Sequence, residues 1–169
     1  MSIDFRTISG AAAVLGKHGY KACLPSAAPP LSLSADRIET SIESYRSLDL
    51  RSIEGCDGHT LRRHVGLADD ALRTRALRTH HDVSCFDDEA IAQRTVDRAF
   101  AENQGRIAQW MGGRRPALDL HVHFEGAIGR VYRYDLGGFE RASNADVILE
   151  RSAAMPQGYT VVTAYPSPA

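Results

Sequence analysis

The chain has 169 residues, 43% of them hydrophobic, and a formal net charge of −1. That length suits one packed domain with an appendage. The charge excludes a basic body that holds nucleic acid by bulk electrostatics, and no apolar run approaches the roughly 20 residues of a membrane-spanning helix.

The first 34 residues are rich in Gly, Ala, Ser and Pro and end in Ser26-Ala27-Ala28-Pro29-Pro30, which reads as linker. No basic-then-apolar secretory leader stands at the N-terminus. A helix is predicted over 35–47, with Ile38, Ile42 and Tyr45 at helical spacing. The pattern tightens from Gly55 onward. We therefore expect a linker, entry or adaptor region over 1–54 and a folded domain over 55–169. Cys23, Cys56 and Cys85 form no CxxC pair and no even framework, so free buried thiols and no disulfides are expected. Beyond residue 54 every cation is arginine, whose planar fork suits phosphate.

The domain opens with Gly58-His59-Thr60-Leu61-Arg62-Arg63-His64-Val65-Gly66. Two histidines here bracket two arginines. Imidazole titrates near neutrality and suits proton transfer. A helix is predicted over 67–79, acidic at its start and basic at its end as the helix dipole favours. On it Arg75 shares a face with Ala68, Leu72 and Thr79. An arginine at the rim of an apolar face wants an anionic partner, either a phosphate or an internal carboxylate.

A second helix is predicted after Asp87, read as its N-cap, with Phe86 and Ile91 as a hydrophobic staple. Its buried stripe is Ile91, Thr95, Ala99, Asn103, Ile107 and Trp110. Gly105 is a candidate break, and Gly112-Gly113 ends the helix.

Period-two alternation follows. Leu118, Leu120, Val122 and Phe124 mark one face of a strand, and Asp119, His121, His123 and Glu125 the other. Further strands are predicted over 128–134, 145–151 and 158–166. Helices followed by antiparallel strands make an α+β domain. On the last strand Tyr159, Val161, Thr163 and Tyr165 are expected on one face, which puts two hydroxyls side by side. His121 and His123 share a face, as a zinc site would require, with no third ligand placed by spacing.

On these residues alone two functions stay open beside proton transfer at a phosphate: a non-enzymatic module that binds an anion or nucleic acid, and a zinc-dependent hydrolase built on His121 and His123.

Gly58-His59-Thr60-Leu61 with His64-Val65-Gly66, then Arg75 on a helix, Ser84-Cys85-Phe86, then Asn103, Ile107 and Trp110, and finally Thr163-Ala164-Tyr165-Pro166 stand in one order along the chain. This array resembles the RNase A-like toxin domain at the C-termini of bacterial contact-dependent growth inhibition proteins and other polymorphic toxins. It covers about residues 55 to 168 and leaves 1–54 unexplained.

The resemblance implies short helices packed on a curved antiparallel sheet without disulfides. It implies a metal-independent ribonuclease with no cofactor, carrying His64, Arg75, Thr163 and Tyr165 at its catalytic positions. It also implies an RNA substrate, with tRNA a candidate, a cognate immunity protein as partner, and delivery into the cytoplasm of a target cell. One departure is Ser84-Cys85-Phe86, where the family usually has Ser-Thr-Phe; packing rather than chemistry is expected to feel it.

Overall fold

The computed structural model describes residues 48–168. The helix predicted over 35–47 lies outside them. The described elements run α1 (Leu50–Ile53), α2 (Thr60–His64), α3 (Asp69–Thr79), β1 (Val83–Phe86), α4 (Glu89–Gly112), β2 (Ala117–His123), β3 (Gly129–Arg133), β4 (Gly138–Ala142), β5 (Asn144–Arg151) and β6 (Tyr159–Ser167). The fold is α+β with every ladder antiparallel.

The strands form two three-stranded sheets, ordered β1-β3-β4 and β2-β5-β6, where the sequence led us to expect one curved sheet. Gly129 on β3 is where they meet: a Cβ there would stand 2.4 Å from the Cys85 carbonyl oxygen and 2.8 Å from Pro166 Cγ on β6. Only a glycine lets the Cys85 backbone and the Pro166 ring approach β3 so closely.

The main core lies between α4 and the β2-β5-β6 sheet. Val96, Phe100 and Ile107 of α4 pack with Leu120, Val147, Leu149 and Val161. The predicted stripe on α4 is buried at Thr95, Ala99, Asn103, Ile107 and Trp110, with Ile91 at its margin. The N-cap is Asp88 rather than Asp87: its carboxylate accepts from the Ile91 N–H at 2.7 Å. The staple residues Phe86 and Ile91 therefore sit one position off the register we expected.

The helix breaks at Asn103 (φ −121°, ψ 20°), not at Gly105. Asn103 Nδ2 donates to the Ala99 carbonyl at 2.9 Å, and its Oδ1 accepts from Arg106. A side-chain amide that competes for the helix's own carbonyls bends it more than a glycine does. A smaller core joins α3 to the other sheet through Leu72, Ala76, Val83, Cys85 and Tyr132.

Leu48, Leu50 and Ile53 are buried in the main core. Gln93 of α4 holds this segment in both directions, accepting from the Leu50 N–H and donating to the Leu48 carbonyl, each at 2.9 Å. The packed unit thus takes in residues ahead of the division expected at residue 54. Cys85 is a free, buried thiol, as expected, and the strands and helices from Thr60 onward contain no other cysteine. Cys56, just ahead of them, is disulfide-bonded, so the expectation of free thiols fails at that position.

Candidate active site

The site is made where α2 docks on the open edge of β6. A β-bulge does the preparatory work. Between Val161 and Thr163 the β5–β6 register shifts, so Leu149 pairs with Val161 while Ile148 pairs with Thr163. A bulge flips the facing of everything beyond it. Tyr159 and Val161 therefore face the main core with Ala164, while Thr163 and Tyr165 stand on the opposite face. The single shared face expected for all four residues is corrected by that extra residue, although Thr163 and Tyr165 do remain together.

The bulged strand is then paired by the segment leading into α2. The His59 N–H donates to the Val162 carbonyl at 3.0 Å, and the Ala164 N–H donates to Thr60 Oγ1 at 2.9 Å. Gly58 permits the approach: a Cβ there would stand 2.9 Å from the Val161 carbonyl oxygen and 3.2 Å from that of Ile53. Glu54 caps α2, its two carboxylate oxygens accepting from the Leu61 and Arg62 N–H groups at 2.8 and 3.2 Å. The contacts of Gly58, His59 and Thr60 fix α2 against β6, the Glu54 cap fixes its start, and α2 ends at His64.

His64 is buried, and its ring lies 5.5 Å from that of Tyr165, centroid to centroid. Its Nδ1 is 3.1 Å from the Ser84 carbonyl oxygen on β1. A carbonyl can only accept, so Nδ1 carries the hydrogen and Nε2 is left with a lone pair. Burial pushes the imidazole pKa down to about 4, with the charges of Arg75, His59 and Arg63 acting the same way and the Ser84 bond opposing. The ring is therefore neutral at physiological pH, in one tautomer, with Nε2 available as a base.

Arg75 is the partly covered arginine of α3, beside buried Leu72 and Ala76. Its guanidinium donates to the Arg63 carbonyl at 2.8 Å and has no carboxylate partner among the described residues. Burial, and then the charges of Arg63 and Arg78, lower its pKa from an already very high value, so it stays cationic. Its charge reaches both His64 and His59.

Thr163 Oγ1 is covered and has no hydrogen-bond partner among the described residues. A buried hydroxyl without a partner costs ~1–3 kcal/mol. Tyr165 is half-buried, and burial, followed by the charges of Asp146 and Asp119, raises its pKa, so the phenol keeps its proton and can donate it. The structure thus brings His64, Arg75 and Tyr165 together, with the Thr163 hydroxyl on the same strand face but covered.

His121 and His123 point to the open face of the second sheet, as predicted. Each is engaged by its register partner on β5: His121 Nδ1 with the Asp146 carboxylate, and His123 Nδ1 with Asn144 Oδ1 at 2.7 Å. Among the described residues no group of three His, Cys, Asp or Glu is placed to hold a metal ion, and no helix is long and apolar enough to cross a membrane.

Three contributors escaped the sequence reading. The Ser84 carbonyl and Asp146 act through strand pairing, which leaves no local signal. Glu54 caps a helix that starts six residues after it. Cys85, the departure from the family's Ser-Thr-Phe, accepts from the Leu67 N–H at 3.3 Å, a packing role beside the residue that holds His64.

A packed α+β domain with a neutral histidine, a cation and a strand-borne tyrosine at one edge is the outline of a small RNase-like enzyme. The chain belongs to the Bacterial CdiA-CT RNAse A domain family, whose model matches residues 58–166. It is a C-terminal toxin domain of the kind that contact-dependent inhibition proteins deliver to target cells. Among solved structures it is similar to the CdiA-CT of the CdiA-CT/CdiI complex from Y. kristensenii. The two share 28% identity at a TM-score of 0.62, over 66% of this chain and 100% of that one. No curated protein matches it.

Proposed function

We propose that the domain is an endoribonuclease that needs no metal and leaves 2′,3′-cyclic phosphate ends, acting in the cytoplasm of a competing bacterium. The observation that carries this reading is the neutral, single-tautomer His64 with its free Nε2 beside the Tyr165 phenol and within the field of Arg75.

In the proposed reaction His64 Nε2 takes the proton of a ribose 2′-hydroxyl, and that oxygen attacks the adjoining phosphorus. The bond from phosphorus to the 5′-oxygen breaks, and the Tyr165 phenol supplies a proton to the departing oxygen. Arg75 offsets the charge that develops on the phosphoryl oxygens, as fixed cations do in phosphoryl transfer. The Thr163 hydroxyl, without a partner among the described residues, stands on the same strand face as Tyr165 and would be satisfied by a phosphate oxygen. DNA lacks the attacking hydroxyl, so RNA is required.

The relative from Y. kristensenii is seen with its CdiI partner. By the same logic a cognate immunity protein neutralises this domain in the producing cell.

The test is incubation of the protein with total tRNA in EDTA beside the variant His64→Asn. Cyclic-phosphate ends made by the wild type alone are the expected result. Cleavage of an all-deoxy substrate, or activity that a chelator abolishes and zinc restores, overturns the reading.

A further inference from the structure

The domain carries a second cationic feature that the site above does not use. A cavity of about 430 Å³ opens at the C-terminal end of α4, lined by Arg106, Gln109, Trp110, Arg114, Arg115 and Leu118, with Gly113 and no carboxylate in its wall. A neighbouring cavity of about 390 Å³ shares Arg106, Arg115 and Leu118 and runs on along β2 to Asp119 and His121. The two make one groove along the outer edge of β2.

A helix C-terminus ordinarily repels anions. Here Arg151 removes that obstacle, its guanidinium donating to the carbonyls of Trp110, Met111 and Gly113 at 2.8, 3.3 and 2.9 Å. Glu150, opposite Ala117 across the β2–β5 ladder, does not line the first cavity. Arg106 is fixed at the groove floor by Asn103 Oδ1 and the Asp119 carbonyl. The guanidinium groups of Arg114 and Arg115 are exposed and make no hydrogen bond or ion pair within the described residues. The backbone that carries them is fixed, since the Arg115 carbonyl accepts from Trp110 Nε1 at 3.0 Å and from Arg151 Nε at 3.2 Å.

The sheet connects this groove to the catalytic edge. His121 at its inner end pairs with Asp146, and Asp146 pairs with Tyr165. Two strand spacings, about 10 Å, separate Tyr165 from His121, and the arginines lie beyond. Asp119 and the His121–Asp146 pair occupy the intervening ground, so a phosphate is not favoured there and the arginine end is a distinct subsite.

We propose that the groove bounded by Arg106, Arg114 and Arg115 binds a backbone phosphate of single-stranded RNA flanking the cleaved linkage. This proposal rests on the ribonuclease reading for its substrate and goes beyond it in assigning a second anchoring point. It predicts a dependence on substrate length: a dinucleoside monophosphate has one phosphate and cannot occupy both places.

The experiment compares the wild type, the double variant Arg114→Ala/Arg115→Ala, and the charge-matched control Arg51→Ala/Arg94→Ala. Binding is read by fluorescence anisotropy on a 2′-O-methyl decauridylate, which offers no attacking hydroxyl, across a salt series. The double variant is expected to lower the slope of log affinity against log salt by about 0.7, the value of one lost single-strand phosphate contact; the control should match the wild type. In cleavage, kcat/KM on a dinucleoside monophosphate should be unchanged by the double variant and fall severalfold on a decanucleotide.

An unaltered salt slope, or an equal fall on both substrates, overturns the subsite. If the wild type cleaves neither substrate while decamer binding still depends on Arg114 and Arg115, the subsite stands and the ribonuclease reading falls.

Discussion

His64 provides the sharpest test, because one physical cause should show itself in stability and in activity. Its imidazole has an ordinary value of 6.5 and is pushed to about 4 in the folded protein, chiefly by burial. The unfolded chain therefore binds more protons than the folded one between those values. Stability from this group is complete above pH 6.5 and is lost as pH falls from there toward 4. The gap between the two values corresponds to about 3 kcal/mol. Little solvent screening reduces it, because the ring is only 9% exposed.

His64→Asn keeps a donor that can reach the Ser84 carbonyl and removes the titration. Urea unfolding of both proteins at intervals from pH 7.5 to 4 gives the difference in stability; groups common to both cancel. That difference is expected to change by about 3 kcal/mol across the window, in the sense that the wild type loses more. The same neutral ring sets the acid limb of kcat/KM, which should lie near pH 4 rather than near 6.5. At pH 7 the variant should lose ~10²–10⁴-fold in rate. Parallel stability profiles, or full activity in the variant, would refute the reasoning.

Thr163→Val removes a hydroxyl that has no partner, so melting should show stability unchanged or raised by about 1 kcal/mol, while turnover of RNA falls; turnover equal to wild type would remove Thr163 from the site. Gly58→Ala forces a methyl group to within 2.9 Å of a backbone carbonyl on β6, and should cost ~1–3 kcal/mol in urea unfolding with a loss of activity as α2 is pushed off the strand. Retention of both stability and activity would show that α2 is not fixed by this approach.

Much of the fold was legible because periodicity reports burial locally. The face of β2 bearing Asp119, His121 and His123, the buried stripe of α4 and the semi-covered Arg75 all follow from spacing that a single helix or strand imposes on its own side chains. The strands Val83–Phe86 and Gly138–Ala142 did not show themselves. The first is four residues buried throughout, a run too short to display any period, and the second is mostly half-buried.

The choice of His64, Arg75, Thr163 and Tyr165 as candidates came from the family resemblance, and their chemistry is that of the residue types themselves. The state of each group was another matter. The proton on Nδ1 of His64 depends on a carbonyl 20 residues away on β1. The facing of Thr163 and Tyr165 depends on a bulge in the ladder with β5. The Asn103 kink depends on which hydrogen bonds its amide wins.

The sequence alone determined which residues could move a proton or hold a phosphate, and on which face each would stand wherever a helix or strand runs unbroken, because those properties belong to a residue and its near neighbours. The tertiary structure decided which of them meet, which is neutral and which is covered. Those depend on solvent exclusion and on partners brought in from distant strands, and neither is encoded at any single stretch of chain.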